Sequence, residues 1–116
     1  MTIDSGSKRI FTYEAARELM PRVIEITREA VERVDQLLAN SPSLATDDVP
    51  DDVLERYNEI VDQWAGAILD LGVDVKGLWL VDFDNGSGYY CWKYPEPSLQ
   101  YFHGYDEGFK GRVKLN

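Results

Sequence analysis

The chain carries one histidine and one cysteine, His103 and Cys91. His103 stands in YFHGYDEGFKGR, with Asp106, Glu107 and Arg112 a few residues on. An imidazole that titrates near neutrality beside carboxylates is the least that acid–base work, or one metal ligand, requires. Upstream, Asp82 is a carboxylate in the otherwise apolar run GLWLVDF. It must meet solvent or a hydrogen-bond partner, and Arg112, Tyr89 and His103 are the partners on offer. The candidate ligand or interaction site is therefore Asp82, Tyr89, His103, Asp106, Glu107 and Arg112. Cys91, between Tyr90 and Trp92, reads as a small buried hydrophobe rather than as a nucleophile for His103. A zinc site would need Cys91, His103 and two carboxylates, without CxxC or HExxH spacing behind it. The segment Asp82 to Gly88, DFDNGSG, fails the calcium-loop pattern at Gly86, and its GSG precedes a strand rather than a helix. Neither a phosphate-binding GxxxxGK loop nor a GxSxG elbow occurs. No metal is assigned on this basis, and no cofactor is expected.

The ribbon Gly77 to Tyr94, GLWLVDFDNGSGYYCWKY, must position these groups. Two runs rich in aromatic and branched residues flank a polar, glycine-rich gap, the pattern of a β-hairpin. A two-residue turn at Asn85-Gly86 places Val81 opposite Tyr90 and Trp79 opposite Trp92. One face then holds Trp79, Val81, Phe83, Tyr90, Trp92 and Tyr94. The other holds Leu80, Asp82, Tyr89, Cys91 and Lys93, a mixed set that expects partial cover. Pro95-Glu96-Pro97 turns the chain, and Leu99 to His103 has strand character. Folded back through a three-residue turn, it sets Tyr89 against His103 and Cys91 against Tyr101. Asp82, Tyr89 and His103 would form one row across three strands, a row that a one-residue slip destroys.

Two helices are expected to lie on the aromatic face. Thr12 is an N-cap for a helix over 12–39, whose apolar stripe runs through Ala16, Leu19, Met20, Val23, Ile26, Ala30, Val34, Leu37 and Leu38. The stripe keeps phase across Pro21, so a kinked continuous helix is preferred to two short ones. A second helix over 52–71, with Asp52 and Glu55 in capping-box spacing, carries Val53, Tyr57, Ile60, Val61, Trp64, Ile68 and Leu71 inward, and Gly72 ends it. The acidic, proline-bearing connector Asn40 to Asp52 closes an antiparallel helical hairpin and is the expected mobile loop. Residues 1–9 are expected to fray, and 104–116 to form a tail loop anchored by Phe109.

Composition bounds the function. The 116 residues suit one domain, 1–116, and the formal charge of -9 opposes phosphate backbones and anionic lipid. No nucleic acid and no membrane partner are expected. The start, MTIDSGSKRI, lacks the apolar stretch of a signal peptide, and one cysteine makes no internal disulfide, so a cytoplasmic location is expected.

The segments FTYEAARELMPRV, GLWLVDF, YYCWKYPEP and FHGYDEGFKGR, in that order, resemble a small bacterial family, the domain of unknown function numbered 2203. The resemblance spans Phe11 to Leu115. It marks Asp82, Phe83, Cys91, Trp92, His103, Asp106, Gly108, Phe109 and Arg112, and implies no activity. Where the family pattern has an acidic residue after the histidine, this chain has Gly104. The expected fold is α+β: a long antiparallel helical hairpin on a two- to three-stranded antiparallel sheet. Two functions fit. One is a non-catalytic interaction or structural module forming a homodimer through exposed Tyr89, Tyr101, Phe102 and Tyr105 or through the helical seam. The other is a small-ligand or metal-binding protein, with hydrolysis among its options, built around His103, Asp82 and Arg112.

Overall fold

The structure is a computed structural model that describes residues 9–41 and 49–115. The expected fraying of the first eight residues and most of the expected mobile connector lie outside the described residues. The first helix, α1 (Tyr13–Ala39), starts where Thr12 Oγ1 accepts the Ala15 N–H at 3.0 Å. That bond satisfies one of the amide groups a helix start leaves unpaired. The helix runs unbroken through Pro21. It buries Ala16, Met20, Val23, Thr27, Ala30 and Val34, so the apolar stripe decides its orientation.

The second helix, α2 (Asp51–Asp70), begins one residue earlier than expected, and its N-cap is Pro50 rather than Asp52. The Pro50 carbonyl accepts both Val53 and Leu54 amides at 3.1 Å, and its own side chain makes no capping hydrogen bond. Asp51 and Asp52 sit in the first turn, where the positive helix end favours carboxylates. The far end closes as anticipated. Gly72 takes φ +83° while its amide bonds Leu69 O and the Val73 amide bonds Ile68 O, a Schellman stop sealed by buried Val73. The two helices pack antiparallel, and Trp64 Nε1 donates to Thr27 Oγ1 at 2.8 Å between them, fully buried.

Five strands follow, not the two or three expected: β1 (Asp74–Gly77), β2 (Leu80–Asp84), β3 (Gly88–Lys93), β4 (Tyr101–Gly104) and β5 (Val113–Lys114). They form one antiparallel meander in sequence order. The ribbon's first run supplies β2, and β1 precedes it, ending at Gly77. Leu78 and Trp79 form the turn between β1 and β2, and Trp79 takes φ +60°, so it leaves the strand and packs edge-on against Trp64 at 4.9 Å. The tail contributes β5, pairing Phe102 with Val113 and Tyr101 with Lys114.

The central hairpin turns one residue later than expected, at Gly86-Ser87. Asn85 Oδ1 accepts the Ser87 and Gly88 amides, Asp84 Oδ1 accepts the Gly86 amide, and Gly86 takes φ +92°. Val81 therefore faces Trp92, and Phe83 faces Tyr90. The shift moves the pairing by two residues and so leaves every side chain on its expected face. Val81, Phe83 and Trp92 are fully buried in one cluster with Val23, Trp64, Ile68 and Phe11, beneath the helices. Phe11 meets Phe83 edge-on at 5.2 Å, and Tyr13 donates to Leu99 O at 2.9 Å, tying the start of α1 to the sheet.

The Trp64–Thr27 bond is testable because it is the buried polar contact between the helices. Thr27→Val keeps the shape and strands the indole N–H, which costs about 1–3 kcal/mol. Adding Trp64→Phe to Thr27→Val is expected to cost less than the sum of the two single changes, read from urea midpoints.

Candidate functional site

The period of two that buries Val81 and Phe83 sends Asp82 to the opposite, outer face, together with Cys91 and His103. Asp82 pairs with Cys91 on β3, and Tyr89 pairs with His103 on β4. The expected row of Asp82, Tyr89 and His103 is thus corrected: Asp84 stands across from Tyr89, because the hairpin turns a residue later. The contact survives the shift. His103 Nε2 reaches diagonally over β3 to Asp82 Oδ2 at 2.9 Å. Gly88 permits this closeness of β3 and β4, since a Cβ there would lie 2.6 Å from the Phe102 ring and 2.7 Å from His103 O.

The outer face is roofed by the β4–β5 connection. Glu107 Oε1 accepts the Gly104 amide at 2.8 Å and shapes its first bend, and a 3-10 turn at Phe109–Gly111 ends it. Arg112 then pins it down. Its guanidinium pairs both Glu96 oxygens, at 3.1 and 2.8 Å, and lies between the rings of Tyr101 and Phe109 at 3.9 and 4.1 Å. A planar, two-pronged cation held by a carboxylate and two aromatic faces is worth more than the ~0–1 kcal/mol of an open surface pair. Glu96 is itself positioned by the Lys93 amide at 2.9 Å, and its carbonyl accepts Trp92 Nε1.

Under this roof Asp82, Cys91 and His103 are 1%, 0% and 4% exposed. The sequence reading offered Arg112 to Asp82; the partner of Arg112 is Glu96, with Cys91 Sγ 4.0 Å from one of its amino groups. Asp82 Oδ1 is buried and makes no hydrogen bond among the described residues. Burial raises the Asp82 carboxyl above the ordinary range, against the Cys91 thiol and the His103 ring. Burial first, then the neighbouring Asp82 carboxylate, push the Cys91 thiol up to about 12 despite Arg112. That thiol is no nucleophile at neutral pH, and the imidazole faces Asp82 rather than Cys91.

A cleft of about 420 Å³ opens onto the three groups, with Lys76, Tyr89, Tyr105, Glu107 and Phe109 along its walls. Lys76 Nζ lies 4.4 Å above the Tyr89 ring, and Tyr105 donates to Asp84 Oδ1 at 2.6 Å. Clefts of similar size at the hairpin tip and beside Leu99 hold no buried titratable group. Of the expected site, Asp82, Tyr89, His103 and Glu107 converge here, Arg112 clamps the roof, and exposed Asp106 does not line the cleft. Cys91 belongs with them, although its place between two aromatic residues reads as plain core. Lys76 could not be found without β1, whose only sequence signal is the alternation of Val73 and Val75 after Gly72.

A helical hairpin on a five-stranded meander, with a buried acid–imidazole pair on the outer face, defines the class of protein. The chain belongs to the family described as "Uncharacterized conserved protein (DUF2203)", whose model matches residues 9–115. No curated protein and no solved structure matches it.

Two measurements follow from the geometry. Burial keeps the Cys91 thiol protonated and out of solvent, so iodoacetamide is expected to label the native protein far more slowly than the urea-unfolded chain. Arg112→Lys, which loses the fork and the stacking, is expected to speed that labelling and to cost about 1–3 kcal/mol. Native Asp82 holds its proton to higher pH than the unfolded chain does. Its stabilisation is therefore complete below the ordinary carboxylate range and is lost as pH rises through the raised value. Urea midpoints between about pH 4 and pH 8 are expected to fall more steeply for the wild type than for Asp82→Asn.

Proposed function

We propose that this protein binds a small polar or charged ligand on the outer face of its sheet, without turning it over. The observation that carries the reading is the Asp82 carboxyl, deeply buried beside a cleft. Among the described residues its Oδ1 has no nitrogen or oxygen donor, and its only other hydrogen-bonding neighbour besides His103 is the weak Cys91 thiol. An unsatisfied buried carboxyl oxygen costs about 1–3 kcal/mol or more, and a donor or cation supplied by a ligand would remove that cost. Binding is favoured over catalysis because the thiol is held protonated and Asp82 engages the imidazole. Among the described residues no helix is long and apolar enough to cross a membrane. A free buried thiol suits a reducing compartment such as the cytoplasm.

The homodimer is a second reading. Of Tyr89, Tyr101, Phe102 and Tyr105, which first suggested it, the first three are half-covered by the chain itself and Tyr105 stays exposed. What supports it is Leu38, Val49 and Leu54, all exposed at the end of the helical hairpin remote from the sheet. Light scattering that finds a strict monomer at high concentration would end it.

The first reading is tested by native mass spectrometry of protein purified without chelator. The expected result is a mass above that of the bare chain, lost in Asp82→Ala. A bare wild-type chain, together with His103 ring NMR signals unmoved by added amines, alcohols and divalent cations, would overturn it.

A further inference from the structure

We propose that Asp82, Cys91 and His103 form a site for a divalent transition metal of the zinc class, with one coordination position left toward the cleft. The inference rests on the reading of the outer face as a binding site and names the ligand. One ligand atom from each residue, a carboxylate oxygen, the thiol sulfur and an imidazole nitrogen, lies within 4.8 Å of the other two. A tetrahedral zinc ion holds such atoms roughly 3.3–3.6 Å apart. The three sit on adjacent strands β2, β3 and β4, so the sheet itself assembles the set.

The hydrogen bonding of His103 points to a cation. Its Nδ1 faces the Gly104 carbonyl at 2.9 Å. A carbonyl only accepts, so Nδ1 carries the proton and donates. That leaves Nε2 presenting a lone pair to Asp82 Oδ2 at 2.9 Å. Two lone pairs cannot face each other at that distance without a positive charge between them. In the metal-free protein one proton bridges them; a divalent ion would take its place by parting the two atoms to the wider spacing of metal ligands. A backbone carbonyl orienting the far side of an imidazole is the usual support for a metal-binding histidine.

The remaining features agree. A hydrogen-bonded Asp–His pair alone needs no sulfur alongside, yet the Cys91 thiol is present and buried. A divalent ion bound by carboxylate, thiolate and neutral imidazole is neutral as a unit, which suits a buried site. Binding displaces the bridging proton and the thiol proton to solvent, two protons for one ion. Three protein ligands with a fourth position open is the arrangement in which a metal holds a water or a substrate atom, rather than only the fold.

The test uses the full chain stripped with chelator and then titrated with Co²⁺, followed by Zn²⁺ competition. The expected result is one equivalent bound, with an intense near-ultraviolet sulfur-to-cobalt band that Zn²⁺ abolishes. Cys91→Ser is expected to lose the band, and His103→Ala to weaken Zn²⁺ binding more than about 100-fold, with folding of each checked by circular dichroism. The wild-type band decides the matter even where a variant fails to fold. Its absence overturns the metal site, as does metal binding that folded Cys91→Ser and His103→Ala leave unchanged, which would place the ion on surface carboxylates. If the band is absent while the native mass spectrum still shows an adduct, the metal falls and the ligand reading stands. A bare chain in both experiments, with the His103 ring signals unmoved by added ligands, ends both.

Discussion

Everything in this molecule follows from drying one face of the β2–β3 ribbon. Val81, Phe83 and Trp92 are fully buried beneath the two helices. At about 25 cal/mol per Å² of apolar surface removed from water, that face dominates the sheet's stability and dictates its register. The strand period then leaves no choice about the alternate positions. Asp82 and Cys91 must point away from the helices because their neighbours point toward them. The chemistry of the outer face is the obverse of the packing on the inner one.

A face carrying a carboxylate, a thiol and an imidazole would ordinarily stay wet. Here the chain covers it with its own β4–β5 connection, held by Arg112 between Tyr101, Phe109 and Glu96. The cover removes the solvent that would otherwise set the protonation of these groups. Burial is the leading cause of the raised Asp82 carboxyl and of the Cys91 thiol near 12. The clamp thus acts on the site without touching Asp82 or His103. It is anchored by Glu96, which also receives the Lys93 amide and, through its carbonyl, the Trp92 indole. Core, clamp and site form one mechanical unit.

Much of this architecture was legible in residue order. The stripe through Ala16, Val23, Ala30 and Val34, the Thr12 cap and the Gly72 stop are local signals, and each acts as expected. The pairing of Tyr89 with His103 was also readable, because the hydrophobic pattern allows few alternatives. The failures share a cause. The turn closes at Gly86-Ser87 rather than Asn85-Gly86 because the Asp84 and Asn85 side-chain oxygens accept the amides of Gly86, Ser87 and Gly88. Strand β1 was hidden by Trp79, whose left-handed backbone is tolerated because the indole gains a place against Trp64. Strand β5 has two residues, both exposed, and no pattern of its own.

Local sequence determined by itself the helical hairpin, the identity of the buried aromatic face, and the candidacy of Asp82 and His103, because periodicity and capping are properties of neighbours along the chain. Tertiary structure alone decided that Cys91 joins them, that Asp106 does not, and that Arg112 serves Glu96 rather than Asp82. Those outcomes turn on which side chains lie within a few ångströms after the tail has folded over the sheet. A contact between residues 16 or 21 positions apart leaves no periodic trace, since its energy exists only once both are desolvated in the same place.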